Sequence, residues 1–128
     1  MKKLITAAVI LCMLALCACS PYNSHYSAIG FVHSNTSSNA FMNFYEFDGT
    51  MVFTLNADKS DKIVFTASLG SGELEVFIDN GSGKTSLLSL KSGDGINGTG
   101  GELSAGKVYI IVETNGKCSN GSLTFNLE

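Results

Sequence analysis

KIVFTASLGSGELEVFIDNGSGKTSLLSL, residues 62 to 90, alternates apolar and polar side chains almost without a break. Successive side chains of a strand point to opposite faces, so a period of two marks a half-buried strand. Ile63, Phe65, Ala67 and Leu69 share one face of a first strand. Leu74, Val76 and Ile78 share one face of a second, with Glu73 and Glu75 turned to water. Ser86 to Leu90 is a weaker third candidate. The strands are punctuated by Gly70-Ser71-Gly72 and Asn80-Gly81, residue types that supply the positive φ angles of hairpin turns.

The same stretch holds Gly83-Lys84-Thr85, the second half of the phosphate-loop pattern G-x-x-x-x-G-K-[ST]. The first glycine should stand five residues before Gly83, where the chain has Ile78, already assigned to the core. A phosphate loop must also open a helix inside a parallel βαβ unit. Here Ser86 to Leu90 runs directly into the glycine-rich KSGDGINGTGG. Asn80-Gly81 is therefore read as a type I′ turn with Lys84 in solvent, and no nucleotide is expected.

Outward from this stretch the pattern continues in both directions. Met51, Phe53 and Leu55 face inward in MVFTL, Val108, Ile110 and Val112 in KVYIIVE, and Leu123, Phe125 and Leu127 in SLTFNL. AIGFVH (28–33) and AFMNFYEF (40–47) are weaker strand candidates. Asp48-Gly49, Asn115-Gly116 and Asn120-Gly121 read as turns, and residues 91–106 as the longest irregular piece. No helical stripe follows the first twenty residues. The expected fold is all-β: a single antiparallel β-sandwich or jelly roll of about 7–8 strands, residues 28–128.

The chain opens with MKKLITAAVILCMLALCACS. Lys2 and Lys3 precede an apolar run, Leu4 to Leu16, too short for a spanning helix of about 20 residues and of the length of a secretory h-region. Leu16-Cys17-Ala18-Cys19 resembles the lipobox of bacterial lipoproteins. The resemblance implies a signal helix in residues 1–18, cleavage between Ala18 and Cys19, and a lipid thioether on Cys19. Cys17, preceded by the bulky Leu16, fits the pattern less well, and an ordinary secretory signal with incidental cysteines is the alternative. Two or more acyl chains anchor a protein stably, so the expected localisation is the exported side of the cell envelope. A flexible leader, 19–27, would separate lipid from fold.

With the signal removed, six of the eight basic residues face eleven Asp and Glu, a net charge of about −5. No basic patch is visible, which argues against nucleic acid. Cys12 and Cys17 leave with the signal and Cys19 carries lipid, so Cys118 is the one remaining thiol and no internal disulfide can form. Cys118 lies in TNGKCSNG, read as an exposed hairpin turn where Lys117 would lower its pKa. An idle cysteine and an intermolecular pair are the two readings.

Few residues suggest chemistry. Glu73 and Glu75 are neighbours on one wet strand face, not two carboxylates across a cleft. His25 and His33 are isolated, no G-x-S-x-G elbow is present, and neither a triad nor a zinc set stands out. No enzyme activity and no cofactor are expected. Asp58, Asp61, Asp79 and Asp94 lie in loops as weak calcium candidates, against the plainer reading of solvated turn formers. The chain has no Trp, so sugar stacking would fall to tyrosines. In AFMNFYEF, Phe41, Tyr45 and Phe47 are read as facing one way and Met42 and Phe44 the other. One side would be core, and the other either a ligand patch or covered by the fold.

FDGTMVFTLNADKSDKIVFTASLGSGELEVFIDNGSG, followed later by ELSAGKVYIIVETNGKCSNGSLTFNL, looks like the bacterial pre-peptidase C-terminal type of domain, over roughly Phe47 to Leu127. The small lipoproteins of gut-type Gram-positive bacteria look similar too. The resemblance implies a non-catalytic β-sandwich that accompanies other activities. The expectation is a lipid-anchored surface module that binds an envelope protein or glycan, and the alternative a self-assembling structural lipoprotein. Tyr45, Phe47 and Phe41 are the ligand-contact candidates, beside the loops near Asp79 and Gly93 to Gly101.

Overall fold

The alternating segments form nine strands: β1 (His25–Ile29), β2 (Val32–Asn35), β3 (Asn39–Ala57), β4 (Ile63–Ser71), β5 (Glu73–Asp79), β6 (Thr85–Lys91), β7 (Gly95–Thr99), β8 (Gly106–Thr114) and β9 (Cys118–Leu127). The computed structural model describes residues 21–128, so the expected signal segment, the expected Ala18–Cys19 cleavage position and the expected lipid site at Cys19 lie outside the described residues. Among the described residues there is no helix, and every strand pair is antiparallel.

Hydrogen bonds connect the strands in the order β6-β5-β8-β3-β9-β4-β7, with β1 and β2 also on β3. The 19-residue β3 belongs to both layers. Its residues 39–47 pair with β9 and its residues 50–57 with β8. The array thus folds over at β3 into two sheets, β6-β5-β8-β3 and β2-β3-β9-β4-β7, that share one core. Phe53 of one layer and Phe125 of the other meet with ring centroids 6.4 Å apart. The fold is a sandwich that approaches a closed barrel, which removes most of the unpaired strand edge.

Most inward residues read from the alternation are buried: Phe53, Val76, Val108, Ile110, Val112, Leu123 and Phe125 are wholly inaccessible. Ile78 and Leu127, near strand ends, are only half-buried. Each fully buried side chain of this size contributes about 1.5–3 kcal/mol. No buried side chain among the described residues is polar or charged.

Several local readings are corrected. The sheet begins at His25, so residues 25–27 belong to the fold and not to a leader. AIGFVH is split into β1 and β2 by Gly30, whose φ of 60° makes the turn. The irregular piece 91–106 contains β7, paired to β4, which brings the count to nine. Asp48-Gly49 and Asn120-Gly121 are not turns but irregularities inside β3 and β9. At Gly49 (φ 136°) a Cβ would run into the backbone of β1 at His25 and Tyr26, so only glycine lets β1 cross there. Asn120 (φ 53°) stands opposite Tyr45, and at this level the inward parity changes in both strands. In β3 it passes from Ala40, Met42 and Phe44 to Phe47, Met51 and Phe53. In β9 it passes from Cys118 to Gly121, Leu123 and Phe125.

Two site expectations fall with that change. Phe47 is not a surface residue: it is fully buried, its ring 5.0 Å from Tyr26, 5.2 Å from Phe31 and 5.4 Å from Phe44. Cys118 is not an exposed turn thiol either. It begins β9 with no accessible surface, and its Sγ donates to the Glu73 carbonyl at 3.2 Å. Burial pushes its pKa up, which outweighs the lowering by that hydrogen bond.

Candidate binding face

The outward side chains of β2-β3-β9-β4-β7 line up in rows fixed by the strand registers. One row runs Asn97, Thr66, Thr124, Phe41, Ser34. Beside it run Thr99, Val64, Asn126, Asn39 and, on the other side, Gly95, Ser68, Ser122, Asn43, Val32. None of these residues is buried and none carries a charge. Neighbouring strands stand about 4.8 Å apart, so the five-strand row presents hydroxyl and amide groups over about 19 Å. Ser122 Oγ donates to Asn43 Oδ1 at 2.7 Å, the kind of lateral bond that holds such side chains upright.

Tyr45 ends this face. It is 56% exposed, and the β1–β2 turn braces its base, because a Cβ on Gly30 would come within 3.2 Å of the Tyr45 Cβ. Ile29 (61% exposed) and Val32 (59%) stand opposite Glu46 and Asn43, on either side of it along the strand. Phe41, half-buried, lies four residues away on the same side, about 13 Å along the strand. Two of the three aromatic contact candidates are therefore on one surface, and Phe47 is not.

The other outer face, on β6-β5-β8-β3, is charged. Glu75 stands directly opposite Glu113, a like-charge pair that costs stability. Lys84 relieves it: its Nζ ion-pairs with Glu113 and lies 4.3 Å from the Phe77 ring centroid, so it is not simply solvated. Asn80-Gly81 belongs to a five-residue loop, not a two-residue turn. Glu73, Glu75, Phe77, Lys91, Glu113 and Asn115 border a groove of about 340 Å³. Ser86 Oγ donates to Glu75 at 2.6 Å and Asn115 Nδ2 to Glu73 at 3.4 Å.

The four loop aspartates are not brought together. Asp61 Oδ2 accepts from the Asp58 amide at 2.8 Å, while Asp94 Oδ2 accepts from the Lys91 amide at 2.8 Å near the opposite end of β4. Asp79 Oδ1 accepts from the amides of Gly81 at 2.8 Å and Gly83 at 3.2 Å, and its Oδ2 accepts from Tyr22 Oη at 2.7 Å. The Tyr22 bond and these amides hold the Asp79 carboxyl below its ordinary value, and the same bond raises the Tyr22 phenol. The carboxylates of Asp61, Asp79 and Asp94 each serve their own turn or a neighbour. Among the described residues no group of three His, Cys, Asp or Glu is placed to hold a metal ion. His33 is used in packing, its ring 4.8 Å from Phe31.

The uncharged face was missed by sequence reasoning. Its signal is present: the outward positions 64, 66, 68 and 122, 124, 126 are all uncharged, whereas those of ELEVF are not. What the sequence withholds is that β4 and β9 are neighbours, and that β3 and β7 extend them.

No protein-family model matches the chain, and no curated protein is similar to it in sequence. Solved structures with a similar fold include the carbohydrate-binding module TmCBM61 in complex with β-1,4-galactotriose, at 16% identity and a TM-score of 0.52, over 85% of this chain and 88% of that one. Aeromonas hydrophila PliG, a periplasmic inhibitor of g-type lysozyme, is similar at 15% identity and a TM-score of 0.50, over 72% and 88%. The pre-peptidase C-terminal domain of a collagenase from Bacillus anthracis is also among them, at 18% identity and a TM-score of 0.49, over 74% and 91%. At these identities the likeness is one of fold: this chain is a β-sandwich of the architecture found in a carbohydrate-binding module and in a lysozyme inhibitor.

Proposed function

We infer that this chain is a non-catalytic binding module, displayed on the exported side of the cell envelope by a lipid on Cys19, that holds a neutral glycan on the outer face of β2-β3-β9-β4-β7. The observation that carries the reading is a five-stranded face of hydroxyl and amide side chains with no charge, ending in an exposed tyrosine. Sugar hydroxyls both donate and accept, as Ser, Thr and Asn do. A sugar ring also offers an apolar face, for which Tyr45 and the edge of Phe41 are the stacking surfaces. The carbohydrate-binding module among the similar folds supports the class of ligand, while the sequence pattern Leu16-Cys17-Ala18-Cys19 supports the anchor.

The test is calorimetric titration of residues 21–128 with neutral and anionic polysaccharides at low and high salt. A neutral glycan should bind with an affinity that hardly changes with ionic strength, since no charge pair forms for salt to screen. Tyr45→Ala should weaken it tenfold or more, a loss of about 1.4 kcal/mol per factor of ten. Retention of no glycan, or binding that Tyr45→Ala leaves intact, would overturn the reading.

A second reading has its own observation. The charged groove lined by Glu73, Glu75, Phe77 and Glu113 suits a protein segment that carries basic residues, and a periplasmic lysozyme inhibitor is among the similar folds. Glu75→Gln with Glu113→Gln would weaken such a complex and leave glycan binding unchanged.

A further inference from the structure

The chain is fastened to the sandwich before its first strand begins. Tyr22 Oη donates to Asp79 Oδ2 at 2.7 Å, and its ring centroid lies 5.5 Å from that of Tyr109. Two residues on, Ser24 Oγ accepts from the Val52 amide at 2.8 Å. Asp79 is held in turn by the Gly81 and Gly83 amides, so the clip ends on a fixed group. Pro21 and Tyr22 lie with Lys84 over Ile111, which is only 2% exposed although β8 directs it outward. The N-terminal segment therefore leaves the fold across the outer face of β6-β5-β8-β3, the side away from the uncharged face.

Resting on the lipid at Cys19, we propose that the Tyr22–Asp79 clip sets the orientation of the domain on the bilayer: the outer face of β6-β5-β8-β3 toward the headgroups, and the uncharged face of β2-β3-β9-β4-β7 away from them. The partner of the charged face is a lipid surface, and the reason is the length of the tether. Cys19 and Tyr22 are three residues apart, a reach of about 10–11 Å at full extension. The sheets of a sandwich pack about 10 Å apart, and outward side chains bring the thickness to roughly 20 Å. A tether shorter than the domain is thick cannot let the far face meet the membrane while the clip holds. Release at Tyr22 lengthens the tether only to the next fastening, at Ser24, about 16–18 Å from Cys19, so the domain tilts more freely; release at Ser24 as well extends it to His25, about 20–22 Å, and the domain then tumbles on its anchor.

The test uses the mature lipidated chain on phosphatidylcholine–phosphatidylglycerol vesicles doped with a headgroup spin-labelled lipid. Fluorophores are placed singly at Ser89→Cys, exposed on the proposed near face, and at Thr66→Cys, exposed on the far one. Cys118 is buried and Cys19 blocked, so neither takes the label. The label at 89 should be quenched several-fold more than the label at 66; Tyr22→Ala should narrow the difference, and Tyr22→Ala with Ser24→Ala should bring the two together, while the circular dichroism spectrum stays unchanged. Equal quenching in the vesicle-bound parent chain, or a ratio indifferent to Tyr22→Ala, overturns the orientation alone. A chain whose N-terminal peptide mass shows no lipid and which does not bind vesicles overturns the anchor, and the orientation with it.

Discussion

Phe47 and Tyr45 lie two positions apart in one aromatic strand, and they should respond to truncation in opposite ways. Phe47 is wholly buried at the bend of β3, with the rings of Tyr26, Phe31 and Phe44 within 5.0–5.4 Å. Phe47→Ala removes a ring and leaves a cavity whose walls belong to β1, the β1–β2 turn and β3. Such substitutions cost about 3–5 kcal/mol. The upper half of that range applies here, because three ring contacts of about 0.5–1.5 kcal/mol each are lost together. For a domain of this size each kcal/mol lowers Tm by about 4–8 °C, so a fall of about 16–40 °C is expected. Tyr45→Ala, at a site 56% exposed, should shift stability by no more than about 0.5 kcal/mol and act on glycan affinity instead. Urea unfolding followed by circular dichroism, with calorimetric titration of the same proteins, separates the two effects. A Phe47→Ala protein destabilised by less than about 1 kcal/mol would refute the placement of that ring in the core.

The Cys118 thiol, buried and with its pKa pushed up, should resist alkylation in the folded protein and react at once in denaturant; rapid native labelling would contradict its place in β9. Gly72→Ala should cost about 1–3 kcal/mol, since its φ is +104° and a Cβ would come within 2.7 Å of the Cys118 sulfur; a neutral result in chemical denaturation would argue against that contact. The Tyr22–Asp79 clip should hold between two pH limits. The lowered carboxyl gives a contribution present above its unfolded pKa and lost as pH falls through the folded one, and the raised phenol gives one present below its unfolded pKa and lost as pH rises through the folded one. Ultraviolet titration should therefore show one late-ionising tyrosine that Tyr22→Phe removes.

The sequence by itself determined the class of fold and most of the core. The alternation in 51–55, 63–69, 73–78, 108–112 and 123–127 is a local property, because the backbone pleat sets which side chains share a face whatever the strand pairs with. Residues 63, 65, 67, 69, 74, 76, 108, 110, 112, 123 and 125 could be placed inside for that reason, and they are buried. What only the tertiary structure decided lies where one strand answers to two partners. β3 serves both layers, so its parity changes between Phe44 and Phe47, and a period-two reading carried through that point puts Phe47 on the wrong side. Cys118 follows Phe47 into the core because the two are paired across β3 and β9. β7 was invisible because GINGT has almost no apolar content of its own and becomes a strand by hydrogen bonding to β4. The uncharged face was out of reach for the same reason. Its residues lie in five strands from residue 32 to residue 126, and strand order, a matter of long-range hydrogen bonding, is what brings them side by side.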